Sequence, residues 1–133
     1  MKNKVYIIFV IVIITILIFL QNEKYVETEP DVVNCIKFNQ SESLTVVANR
    51  NSITDKMEFA MMLIDMRKNN SFRSVRFSDD LGAAESIELK VYLWEEEIEE
   101  TEPVMIVEYK PIEEGKGYDI ISHPEMYEVY IYE

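Results

Sequence analysis

A chain of 133 residues with 25 acidic side chains against 13 basic ones carries a formal net charge of −12, which argues against nucleic acid as a partner, because phosphate binding needs a cationic footprint. One cysteine and one histidine exclude a disulfide framework and make a four-ligand zinc site improbable. Three glycines leave no loop to cradle a phosphate.

The first element in chain order is residues 5–20, VYIIFVIVIITILIFL, an uncharged run directly behind Lys2 and Lys4. As a helix it spans about 24 Å, slightly less than the ~30 Å hydrocarbon core of a bilayer. Snorkelling by Lys4 and by the amides of Gln21 and Asn22 is expected to close that gap. The two lysines place residues 1–4 in the cytoplasm by the positive-inside rule, and everything after the run outside. A cleaved signal peptide shares the charged start and apolar middle, but its cleavage needs small residues after the run. Here the chain reads FLQNEKYVE, so the expectation is an uncleaved single-pass signal anchor in the cell membrane.

Residues 21–31, QNEKYVETEPD, read as an acidic tether ending near Pro30. The extracytoplasmic domain is expected over 32–133, a length suited to one core. VVNCIKF (32–38) and SLTVVAN (43–49) predict two strands joined by a hairpin connection at 39–42. A helix is predicted over 53–68, with Ser52 and Asp55 as a capping pair and a stripe of Ile53, Met57, Ala60, Met61 and Ile64 widened by Phe59, Leu63 and Met66. Arg67 and Lys68 suit the negative end of its dipole. SFRSVRF (71–77) predicts a short strand. SIELKVYLW (86–94) predicts the strongest one, with PVMIVEY (103–109) as its antiparallel neighbour across an acidic loop. A short strand at 118–121 and a closing strand at 126–133 complete the series.

One helix among strands predicts an α+β fold: a transmembrane helix, then a small antiparallel sheet with one amphipathic helix packed on one face. Cys35 is expected as a small apolar core residue.

Six of the eight tyrosines lie at or after position 92. An aromatic binding face is therefore assigned to Tyr92, Trp94, Tyr109, Tyr130 and Tyr132, since Tyr and Trp give large rigid contact area with a polar handle. Ordinary half-buried strand residues would give the same pattern, and register decides between the two. Six glutamates at Glu95, Glu96, Glu97, Glu99, Glu100 and Glu102 read as a solvated loop, lacking the ligand offsets of a calcium site. His123 and Cys35 make no nucleophilic set, and no G-x-S-x-G is present. No catalytic, cofactor-binding or metal residue is assigned.

Charge is uneven: residues 32–78 carry seven basic and four acidic side chains, whereas 79–133 carry three basic and 17 acidic. The layout of anchor, acidic tether and α+β domain resembles that of many small extracytoplasmic proteins of low-GC bacteria, and no motif is specific enough to carry over residues or activity. The expected function is a non-enzymatic, membrane-anchored module that binds a protein or envelope component outside the cell. The alternative is an immunity or inhibitor-type protein neutralising a cationic toxin or hydrolase through its acidic half.

Overall fold

The computed structural model describes residues 2–23 and 28–133. Helix α1 (Lys2–Glu23) runs 22 residues, about 33 Å at ~1.5 Å per residue. It thus extends past the apolar run at both ends, through Lys2–Lys4 and Gln21–Glu23, while the uncharged stretch remains residues 5–20. Each residue added to an existing helix gains a hydrogen bond for one fixed residue, so the polar flanks extend it. Among the described residues, nothing else buries residues 2–20. Thr15 donates its hydroxyl to the Ile11 carbonyl at 2.8 Å, which satisfies that polar group within the helix. Among the described residues, α1 is the one helix long and apolar enough to cross a membrane, and a signal sequence shares those properties. Of the expected tether at 21–31, residues 24–27 lie outside the described residues, Gln21–Glu23 continue α1, and Asp31 already belongs to the sheet.

Five strands follow: β1 (Asp31–Phe38), β2 (Ser41–Val47), β3 (Ser86–Tyr92), β4 (Met105–Pro111) and β5 (Tyr127–Tyr132). They form one open sheet in the order β1-β2-β3-β4-β5. The hairpin link is only Asn39-Gln40, shorter than the expected 39–42. Asn39 takes φ 55, a left-handed conformation that asparagine tolerates better than most residues. The expected all-antiparallel sheet needs one correction. β2 and β3 pair parallel, while the other three pairs are antiparallel. The cause is helix α2 (Lys56–Lys68): it crosses back over the sheet, so the next strand enters beside β2 in the same direction.

Helix α2 starts later than the capping pattern suggests. Asp55, not Ser52, is the N-cap, and its carboxylate accepts from the Glu58 backbone N–H at 2.9 Å. Its buried stripe is Phe59, Ala60, Leu63, Ile64 and Arg67, rotated from the expected one so that Met57 and Met61 are exposed. These side chains pack on Leu44, Val46, Leu89, Val91, Met105 and Val107, the alternate residues of β2, β3 and β4. Cys35 is half-buried against the edge of this core rather than within it.

The predicted strand at 71–77 is an ordered loop instead. It has no neighbouring strand, and side chains take the backbone donors that a ladder would have used. Asp31 accepts from the Ser74 N–H at 3.1 Å and from the Ser74 hydroxyl. Asn70 accepts from Phe77 N–H at 2.8 Å and donates to Phe77 C=O at 2.9 Å. These staples press Phe72 and Phe77 into the core. The predicted strand at 118–121 is likewise a turn, because Asp119 accepts from the N–H groups of Ile121 and Ser122 at 2.9 and 2.7 Å.

Arg67 is fully buried, with 0 % exposure. It donates from Nε and Nη2 to Glu42 at 2.6 and 2.8 Å, and from Nη1 and Nη2 to Asp79 at 3.1 and 2.9 Å. Its guanidinium carbon sits 4.0 Å from the centre of the Phe77 ring. One side chain thus ties α2 to the start of β2 and to the loop before β3.

Burial alone would raise the Asp31 carboxyl, but the Ser74 hydroxyl and N–H, the Val32 N–H and Arg73 outweigh it and hold it below the ordinary carboxylate range. A carboxyl lowered in the folded state contributes stability that is present above its unfolded value, about 3.9, and lost as pH falls through the folded value. Denaturation midpoints of the wild type should therefore drop below about pH 4, and Asp31→Asn should be less stable at pH 7 with a flatter acid limb. Urea titrations from pH 2 to 7 measure both.

Candidate binding face

Alternation sends one set of strand side chains under α2 and the 69–85 loop and leaves the other set uncovered. The strand pairings align this second set into rows. One row is Asn34, Thr45, Lys90, Ile106 and Tyr132. The next is Ile36, Ser43, Glu88, Glu108 and Tyr130, and the third is Phe38, Ser41, Ser86, Lys110 and Glu128. The centre is polar: Ser43 donates to Glu88 at 3.1 Å, Lys110 pairs with Glu108 at 3.1 Å, and Ser41 and Ser86 hydroxyls meet at 2.8 Å. The flanks are apolar and wet. Ile36 and Phe38 are 60 and 76 % exposed on β1, and Tyr130 and Tyr132 stand exposed on β5.

The aromatic set divides. Tyr130 and Tyr132 lie on the uncovered face, with Lys110 4.8 Å from the Tyr130 ring centre. Tyr130 donates to Glu128. Tyr92 falls on the same side by register beside Val47, but is nearly buried at 9 % exposure. Trp94 lies past the end of β3, half-buried at the start of a short 3-10 turn over Glu95–Glu97. Tyr109 belongs to the opposite face: it follows Met105 and Val107 in the buried alternation, is 5 % exposed, and stacks on Tyr127 at 4.7 Å between ring centres. Burial first, then the charges of Asp65 and Glu125, push its hydroxyl above the ordinary tyrosine range. Tyr127, also raised by burial, donates to the Glu85 carbonyl at 2.6 Å.

Sequence reasoning missed the aliphatic and aromatic flank on β1. Ile36 and Phe38 alternate with Cys35 and Lys37, and the parity that faces Cys35 toward the core faces them outward. Around this flank the surface is concave. A groove of about 650 Å³ runs from Ile36 and Phe38 past Ser43, Glu88 and Glu108 to Lys110 and Glu114. Among the described residues, no three His, Cys, Asp or Glu side chains converge for a metal ion. What the arrangement offers is recognition: exposed hydroxyls, carboxylates and apolar surface on a rigid sheet. No family model matches this chain, and neither a curated protein nor a solved structure matches it.

Proposed function

We propose that the protein is a non-enzymatic, membrane-anchored module whose uncovered sheet face binds a protein or envelope component outside the cell. The observation that carries this reading is the face itself. Four large apolar side chains, Ile36, Phe38, Tyr130 and Tyr132, stand exposed on a sheet whose other side carries the hydrophobic core. Scattered exposed apolar residues are ordinary; here two pairs flank one rigid surface, and Ile36 and Phe38 line a groove with polar groups, which supports an interaction site. The apolar helix α1 and the lysines of its first turn support anchoring with the folded part outside.

Site-specific photo-crosslinking in intact cells tests both parts. A photoreactive residue at position 38 or 132 of the full chain should give a discrete adduct, and one at the exposed Met57 on the helix side should not. Added protease should remove the domain from intact cells while α1 stays in the membrane fraction. Equal labelling at positions 38 and 57, or a domain protected from protease, would sink the reading.

A further inference from the structure

The occupant of the groove is the open question, and three observations bear on it. The first is charge. Its lining contains Glu85, Glu88, Glu108 and Glu114 against a single ammonium, Lys110; Glu42 also touches it but is committed to Arg67. Lys110 is in turn held by Glu108 and Glu88 is 3.7 Å from Lys90, whereas among the described residues Glu85 and Glu114 have no ion-pair partner. The second is the apolar wall. Phe38 presents a solvent-facing ring at the edge of this carboxylate basin, and such a ring attracts cations as well as apolar groups.

The third is position. The Thr28 N–H donates to the Asn49 carbonyl at 3.3 Å, and the Asn49 amide donates to the Glu29 carbonyl at 2.9 Å. The chain therefore enters the domain where β2 and β3 end. From Glu23 to Thr28 it reaches at most about 18 Å even when fully extended. The groove lies at the other end of the same strands, beside Ser41, Ser86 and Pro111. That is about 20 Å further from the attachment point at ~3.3 Å per residue.

A symmetric face-to-face second copy is disfavoured by charge. Two copies anchored in one membrane, facing each other about an axis along the strands, would set Glu88 against Glu88 and Lys90 against Lys90. Like charges in register are destabilising.

Resting on the binding-face reading above, the geometry points to a basic, partly apolar peptide segment of another protein as the occupant of this groove, at the end of the sheet remote from the anchor. Its cationic side chains sit among Glu85, Glu88, Glu108 and Glu114, and its apolar side chains rest on Phe38 and Ile36. Association is steered by charge and slows as salt rises.

The test uses the full chain in neutral phosphatidylcholine bicelles and three soluble nonapeptides that each carry two Phe and have Lys, Gln or Glu at the same four positions. Amide chemical shifts report where each peptide lands, and fluorescence anisotropy reports how tightly. The Lys peptide should perturb Phe38, Ser86 and Lys110. It should weaken at least tenfold in Glu88→Gln/Glu114→Gln, weaken severalfold between 50 and 300 mM salt, and be unaffected by Glu95→Gln/Glu96→Gln/Glu97→Gln, which removes charge elsewhere. Equal loss in both variants, or shifts centred on the 95–102 loop, would reduce the effect to net charge and overturn the inference. If the Gln or Glu peptide binds the groove better, the inference fails while the binding-face reading stands. If none of the three shifts any resonance on the uncovered face, both fall.

Discussion

Replacing Arg67 by Met should destabilise the domain by about 3–5 kcal/mol, the usual consequence of leaving a buried charge without its partner. Glu42 is 4 % exposed and takes two hydrogen bonds from this guanidinium. Without it the carboxylate keeps only Lys37, a partly exposed ammonium 3.3 Å away. Domains of this size are stable by roughly 5–15 kcal/mol in all, so a loss of this size leaves a substantial unfolded fraction on mild heating. Adding Glu42→Leu should recover at least half of it, because an apolar pair in place of a buried ion pair is often neutral or better. Arg67→Lys should fall between, since an ammonium cannot make two forked contacts at once. Urea denaturation of the three variants decides the matter: a loss below 1 kcal/mol in the single variant would mean that the cluster is solvated.

The second large effect belongs to Phe72. Truncation to Ala should cost about 3–5 kcal/mol, as for other fully buried aromatics, although the residue lies in a segment without regular structure. Phe38→Ala, on a strand but 76 % exposed, should stay within about 0.5 kcal/mol. The pair of measurements separates burial from secondary structure. Should the two variants melt together, the 69–85 loop is not part of the core.

Much of the architecture was legible because strands and helices announce themselves by period. SIELKVYLW alternates cleanly, and the structure buries Ile87, Leu89 and Val91 while leaving Glu88 and Lys90 on the uncovered side. The helix existed where the apolar spacing put it, but its rotation was wrong, because Arg67 reads as a solvated charge at a helix end. Its position three and four residues after Ile64 and Leu63 places it on the buried stripe. Glu42 has the same parity as Leu44 and Val46, so an acid and a base both fall on buried faces. That coincidence was the available sign of a buried pair.

Strand propensity alone misled at 71–77, where Phe and Val favour extension but the backbone bonds to the side chains of Asp31 and Asn70 rather than to a strand. Pairing is a long-range property, and local composition does not contain it. The parallel β2–β3 pairing follows from the crossover, once the helix is known to lie between two adjacent strands. The aromatic set failed at Tyr109 by parity: Met105, Val107 and Tyr109 share one face, and an apolar neighbour two residues away marks a tyrosine as covered. The outward flank of Ile36 and Phe38 was hidden because a short apolar strand reads as core on either parity.

The single parallel pairing has a consequence for how the molecule is assembled. On one side of it stands a hairpin closed by two residues, and on the other an antiparallel meander, β3 to β5. The hairpin forms from contacts near in sequence, on the microsecond scale typical of such units, and the meander closes across the longer links at 93–104 and 112–126. The seam between them, Ser41–Val47 against Ser86–Tyr92, closes only after the helix and the long loop have been laid down, which makes it the slow joint. Because the chain is made from its amino end, the hairpin is available early and waits with the apolar side chains of Leu44 and Val46 open to other chains. During that interval the nascent protein is most exposed to mispairing.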